Sequence, residues 1–202
     1  MPGRLPVVLL GLFLAIAVAL GIDPADRSDW LLENALVLAV LVALWAGYRH
    51  RPLSSLAYVA LFVFLLLHEV GAHYTYSQVP WAQWWQALTG VAPVSGRNHF
   101  DRAVHFAYGL LLAPAVADWT AARAPLRGLA LRVMVVALLT AGSALYEMIE
   151  WVAAASFGGE LGAAYLGTQG DDWDAQKDMA IALLGSLLWA LPSWRRGVFS
   201  RA

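Results

Sequence analysis

The 202-residue chain contains no cysteine, which excludes disulfides and thiolate metal ligands. It is also short of charge. Asp, Glu, Lys and Arg make up 13% of it, against about 25% in soluble domains. The formal net charge of −1, with no basic arm or acidic tail, offers nothing to nucleic acid. Internal repeats and low-complexity segments are absent as well. What fills the chain is apolar: 60% hydrophobic residues and a mean hydropathy of +0.62. A soluble fold of this length cannot hide that much apolar surface in one core. The chain therefore reads as all-α, a polytopic helical bundle forming one integral membrane domain over residues 1–202, with the lipid bilayer as its first partner. Ten tryptophans suit a protein with two lipid–water interfaces to decorate.

Crossing a bilayer core takes about 20 apolar residues in a helix, and six segments qualify as spans, near 5–22, 31–47, 53–73, 103–119, 129–151 and 175–194. Ala19-Leu20-Gly21 in the first resembles a small-x-small cleavage site. A cleaved signal peptide is thus the alternative for residues 1–22, although the long apolar run favours a retained helix. Asp23, Pro24 and Asp26 break the chain before the second span. Basic residues set the orientation. With the N-terminus inside, Arg4, Arg49, Arg51, Arg123, Arg127, Arg132, Arg195, Arg196 and Arg201 are cytoplasmic, nine in all. Arg27, Arg97, Arg102 and Lys177, four in all, lie outside. The bias predicts N-in and C-in. In the long outer connection, 74–102, Trp81, Trp84, Trp85 and Leu88 recur at i, i+3, i+4 and i+7, one face of a short helix. Pro80 fits its first turn and Gly90 its end. The helix either lies flat in the interface or packs its tryptophans on protein.

On this topology the ionisable residues converge. The third span ends outside at His68, Glu69 and His73, and the fourth begins there with Asp101 and His105. The fifth ends with Glu147 and Glu150, and the sixth starts with Asp174 and Asp178. Glu69/His73, Asp101/His105 and Asp174/Asp178 are i,i+4 pairs and Glu147/Glu150 is i,i+3, so each pair shares a helix face. Charges inside spans are costly, face the bundle interior and mark function by default. Carboxylates this numerous repel one another without cations, which points to a divalent metal, one ion or two. Histidine and carboxylate without thiolate fits Fe, Mn or Zn better than Cu(I). Glu69, His73, Asp101, His105, Glu147, Glu150, Asp174 and Asp178 form the candidate ligand set, with His68 less favoured; Glu69, Glu150, Arg97 and Arg102 are the candidates for catalytic roles. The spacings differ from the Glu-x-x-His of di-iron carboxylate bundles. Structural readings compete with this one. Asp171 or Asp172 suits a cap for the last helix with Asp174 in its first turn. Glu147 or Glu150 suits an ion pair with Arg97, Arg102 or Lys177, His68 a hydrogen bond to a neighbouring helix, and His99 an ordinary loop position.

The stretches HEVGAHYTY, GRNHFDRAVHFAYGL, YEMIEW and GTQGDDWDAQKDM together resemble the YjdF-like family of bacterial inner-membrane proteins, over about Pro52 to Leu191. The resemblance implies a multi-span protein of the inner (cytoplasmic) membrane and carries no activity with it. DRAVHFAYGLLLA and the run from Tyr146 to Leu188 are also similar, more weakly, to VanZ-like membrane proteins, an analogy of fold alone.

Three functions are compatible with the pattern. The first is a metal-dependent hydrolase or oxidase facing the periplasm, taking an outer-leaflet or periplasmic substrate that Arg97 and Arg102 would hold if it is anionic. The second is a proton or divalent-cation transporter, which requires polar residues to continue inward, whereas the inner halves offer mainly neutral Ser and Thr. The third is a non-catalytic assembly or partner-binding module in which the polar cluster specifies packing. HEVGAH itself is one residue too long for the zinc-protease HExxH. His68 and His73 stand about 140° apart around a helix, whereas Glu69 and His73 share a face.

Overall fold

A computed structural model describes residues 3–93, 96–159, 162, 166 and 168–191. Among the described residues every regular element is a helix: α1 (Leu5–Leu20), α2 (Arg27–Tyr48), α3 (Ser55–His73), α4 (Trp81–Thr89), α5 (Phe100–Leu111), α6 (Ala113–Ala121), α7 (Gly128–Phe157) and α8 (Asp174–Ala190). Three of them, α2, α3 and α7, are long and apolar enough to cross a membrane. The 16 residues of α1 rise about 24 Å at 1.5 Å each, and the 17 of α8 only slightly more. The end of the expected span 175–194, with Arg195, Arg196 and Arg201, lies outside the described residues.

Local chemistry sets the boundaries. Asp26 caps α2, its Oδ1 accepting from the N–H groups of Ser28 (2.8 Å) and Asp29 (2.9 Å). That cap starts α2 four residues before the expected Leu31 and brings Asp29 onto the same helix as Glu33. Ser54 caps α3 through Ala57 N–H at 3.2 Å. The expected single helix over 103–119 is two. Pro114 has no N–H to give the carbonyl one turn earlier, and the helix breaks at Leu112 before α6 resumes. α7 runs six residues past the expected Trp151 and stops at Gly158, whose φ of +64° suits a residue without Cβ. In α4, Pro80 is the N-cap and Gly90, at φ +73°, the left-handed C-cap. Trp84, Trp85 and Leu88 of that helix are exposed, while Trp81 at its start packs on the cluster of Val79, Phe100 and Val104.

α1 lies along α3, and α2 packs chiefly on α3, with Phe13, Val37 and Leu65 buried among them. A second cluster joins Ala113 and Ala117 of α6 to Leu131, Val135 and Leu139 of α7 and Trp189 of α8. Between these halves α5 and α8 make the most extensive contact in the fold. A Cβ on Gly109 would collide with the backbone of Ala182 and Ser186, and one on Gly185 with the backbone of Phe106 and Leu110. Small residues that admit close backbone approach drive helix association in lipid, where hydrophobic burial between helices gains little. Outward, large apolar side chains such as Leu12, Val42, Leu145, Ile149 and Trp151 are exposed, far beyond what a soluble monomer shows.

Gly109→Leu should destabilise the protein by overpacking, about 1–3 kcal/mol or more, read as a lower melting temperature in detergent by fluorescence-detected size exclusion. Gly47→Ala, where a Cβ meets nothing, should be neutral or slightly stabilising. Equal melting of the two variants would show that the crossing tolerates a side chain.

Candidate functional site

On α5, Asp101, His105 and Gly109 recur at i, i+4 and i+8. On α8, Asp174, Asp178 and Ala182 do the same, with Gly185 on that face. The contact at the two glycines therefore sets the acidic face of α8 against His105. Its Nε2 lies 3.5 Å from Asp101 Oδ1 and 3.6 Å from Glu147 Oε1 of α7. Asp101, His105 and Asp178 each offer a ligand atom within 4.8 Å of the others. Asp178 Oδ1 and Glu147 Oε1 are buried without a hydrogen-bond partner. One imidazole nitrogen and three converging carboxylates, two with an unsatisfied oxygen, are donor types that a divalent cation taking oxygen and nitrogen ligands can use.

A basic rim closes one side. Arg97 pairs with Asp174 at 2.5 Å and also donates to the Thr168 carbonyl. Arg102 reaches Asp171 (2.6 Å) and Asp174 (3.3 Å), with its Nε 3.9 Å from Asp178. Asp174, expected among the ligands, is thus held by two guanidiniums. Both arginines, expected as possible substrate clamps, are committed to carboxylates. Glu147 and Glu150 are not their partners; Lys177 likewise bonds Asp171, at 2.7 and 2.6 Å. Asn98 and Gln169 fasten the rim reciprocally. Asn98 N–H donates to Gln169 Oε1 (2.8 Å), and Gln169 Nε2 donates to the Asn98 carbonyl (3.2 Å). Gln169 itself is left-handed at φ +50°, a conformation that persists only where its surroundings hold it.

The other half of the site comes from α2, α3 and α7. Thr75 and Tyr76 are both left-handed, at φ +50° and +51°, and reverse the chain after α3. The Tyr76 ring folds back over Gly71, where a Cβ would collide with it, and its Oη reaches His68 Nδ1 at 2.7 Å. Burial, then the Glu33 charge, pushes the Tyr76 phenol well above the usual tyrosine range, so the oxygen keeps its proton. When Oη donates to Nδ1, His68 carries its hydrogen on Nε2, which stands 4.0 Å from Glu33 Oε2. Tyr146 of α7 donates to the same Glu33 oxygen at 3.1 Å. Asp29, one turn before Glu33, is buried with Oδ1 unpartnered.

Asp29, Glu33 and Tyr146 were missing from the expected site. Asp29 and Glu33 carry the i,i+4 signal used elsewhere, but a span starting at Leu31 separates them; the Asp26 cap was the clue. His73 leaves the site: its Nδ1 lies 2.8 Å from the Leu20 carbonyl, where it ties α3 to the end of α1. Glu69 is fully buried, both oxygens lacking a hydrogen-bond partner. Near Trp30 and Asn34 of α2, it stands apart from His105. Glu150 lines the cavity described next.

That cavity, about 230 Å³, joins the two halves. Asp29, Glu33, His68, Asp101, His105 and Glu150 line its polar end with Tyr76 and Tyr146, and Val37, Val40, Leu61, Phe64, Leu65 and Leu112 line much of the remainder.

The chain matches the family model described as "Predicted membrane protein (DUF2238)" over residues 5–197. It is 39% identical over 175 residues, 85% of this chain and 80% of the relative, to a protein of Escherichia coli (strain K12) named "Inner membrane protein YjdF". No solved structure matches it.

The rim carries a test in its acid response. The Lys177 ammonium, assisted by the Trp173 N–H and Arg102, holds the solvent-facing Asp171 carboxyl at about 2, below its ordinary 3.8. A carboxyl depressed on folding contributes stability above its unfolded pKa and loses it as pH falls through the folded value. The rim contribution should therefore be complete above about pH 4 and fade toward pH 2. Carboxyl-carbon NMR should show Asp171 titrating near 2, and Lys177→Met should move the midpoint upward. An unmoved midpoint would remove Lys177 as the cause.

Proposed function

The chain belongs to the DUF2238 family of membrane proteins and resides in the bacterial inner membrane, and from that premise we propose that it binds a divalent cation at His105, Asp101 and Asp178, with Glu147 as a fourth donor. The observation that carries this reading is the convergence of these groups on the His105 imidazole, with buried oxygens of Asp178 and Glu147 left without hydrogen bonds. Uncompensated carboxylates in a dry interior cost several kcal/mol each on the order-of-magnitude scale of ion burial, and a cation offsets that cost. The metal class is Mn, Fe or Zn, since the set has one imidazole, carboxylate oxygens and no thiolate. A cation so placed supplies Lewis acidity. Glu150 and the Glu33–His68 pair, lining the same cavity, are the groups available to take or give a proton there.

The proposed placement in the membrane has six crossings, with α5 and α6 together forming the fourth, both termini cytoplasmic and the polar end of the bundle facing the periplasm. The Arg and Lys distribution supports that orientation. α4 then lies in the outer interface, with Trp84, Trp85 and Leu88 toward lipid. A transport path fits less well than a metal-dependent enzyme. Below the polar end, α6, α7 and α8 meet through Ala113, Ala117, Val135, Leu139 and Trp189, an apolar plug.

Purified full-length protein, loaded with Mn or Zn and dialysed, should retain metal at stoichiometric level by elemental analysis. His105→Ala and Asp178→Asn should each weaken binding at least about tenfold, the scale on which even outer-shell changes act. His73→Ala should leave it unchanged, because that ring is engaged with Leu20. Metal-free wild-type protein, or equal binding by His105→Ala, would overturn the proposal.

A further inference from the structure

The cavity has two chemically distinct ends, and all four helices around it change character in the same direction. Along α2 the lining passes from Asp29 and Glu33 to Val37 and Val40; along α3 it passes from His68 to Leu65 and Leu61. On α5 it runs from Asp101 and His105 to Tyr108 and Leu112, and on α7 from Glu150 and Tyr146 to Ser143 and Gly142. Seven residues separate Glu33 from Val40, His68 from Leu61 and His105 from Leu112. At 1.5 Å per residue, the apolar shaft beneath the polar end is about 10 Å deep.

The walls of the shaft are unequal. α3 packs against α2 and α5, and α7 packs against α5, α6 and α8, but among the described residues α2 and α7 face each other across the cavity without extensive packing. Across that gap Tyr146 Oη bonds Glu33 at the polar end. Leu36, on the α2 edge of the lining, is exposed. In a membrane protein the medium at such a gap is hydrocarbon, and the molecules that reach it are lipids. Two polar atoms of the opposite end point to a ligand head. His68 Nε2 and Asp29 Oδ1 are buried without hydrogen-bond partners, on residues only 7% and 2% exposed. Neither arginine of the rim lines the cavity, and both are paired with Asp171 and Asp174. The lining at the head is therefore carboxylate oxygens that accept hydrogen bonds, beside the His68 Nε2–H that donates one, and it repels a bare anion.

We infer that the cavity binds a lipid-like amphiphile that enters sideways between α2 and α7, its hydrocarbon chain in the Val37–Val40 shaft and a hydroxyl- or amine-bearing head against Asp29, Glu33 and His68. This names the substrate class for the proposed site. It rests on that reading only for the head's neighbourhood to the cation, because the shaft and the gap exist independently of any metal.

The test uses full-length protein purified in detergent with EDTA, and two photoreactive probes with a diazirine in the hydrocarbon chain: a long-chain primary alcohol and a phosphatidylethanolamine. After irradiation, labelled residues are mapped by mass spectrometry. Labelling should concentrate on Val40 and Ser143 for at least one probe, and which probe labels distinguishes a free alcohol from a membrane phospholipid as the source of the head. An unlabelled amphiphile of the same kind should compete. Val40→Trp, which fills the shaft, should reduce labelling at Ser143 at least tenfold with melting temperature unchanged. Val42→Trp, on the exposed side of α2, should have no effect. If Val40→Trp melts early, Val37→Phe serves as the second shaft-filling variant. Labelling spread evenly over exposed positions such as Val42 and Leu145, or undiminished by both shaft variants, would overturn the inference. Because EDTA is present, that outcome leaves the metal proposal standing, and loss of metal binding alone leaves this one standing.

Discussion

The contact between α5 and α8 at Gly109 and Gly185 is the constraint on which the site depends. Each glycine leaves space that the other helix fills with backbone: Ala182 and Ser186 over Gly109, Phe106 and Leu110 over Gly185. One and two turns along the same face of α5 are His105 and Asp101, and one and two turns beyond Ala182's turn of α8 lie Asp178 and Asp174. A larger residue at either glycine would separate the helices, and Asp178 would move away from the imidazole. Lipid supplies no hydrophobic force to press helices together, so the site's precision comes from small residues and short backbone distances.

Given that contact, the charged groups divide by what surrounds them. At the rim, Arg97, Arg102 and Lys177 engage Asp171 and Asp174 in short ion pairs. Deeper, Asp101, His105, Glu147 and Asp178 approach one another without a guanidinium of their own at hydrogen-bond range. The difference is physical. The partners at the rim satisfy each other, whereas the inner group has acceptors in excess of donors. Such excess is stable in a dry interior only with protons or cations, and that is the ground on which the cation is proposed for the polar core and not for the rim. The cavity extends this logic sideways, because its acidic and imidazole end sits above a hydrocarbon-lined shaft that opens where α2 and α7 do not pack.

Much of this was legible in the chain. Asp101/His105, Glu147/Glu150 and Asp174/Asp178 announce shared helix faces by spacing, and the alternation of long apolar runs with polar ends announces a membrane bundle. The same reasoning counted His73 among the ligands of the cluster, whereas its ring is engaged elsewhere. Spacing fixes a direction around one helix but says nothing of which neighbour stands there, and the neighbour of His73 is the Leu20 carbonyl. Asp29 and Glu33 were hidden by the opposite error. A hydropathy window starts a helix at its first apolar residue, while the Asp26 cap starts it earlier.

The sequence by itself determined that the chain is a helical membrane protein, which segments are apolar enough to enter lipid, and that ionisable residues gather at one end of several helices. Those properties follow from composition and period, which are local. Only the tertiary structure decided that His105, not the HEVGAH pair, is the centre of the cluster, that Arg97 and Arg102 answer Asp174 and Asp171, and that His68 looks through Tyr76 and Glu33 into a cavity. Each of those depends on which backbone lies against which. That is settled by two glycines on α5 and α8, by Gly71 making room for the Tyr76 ring, and by a pair of left-handed residues that no periodicity reveals.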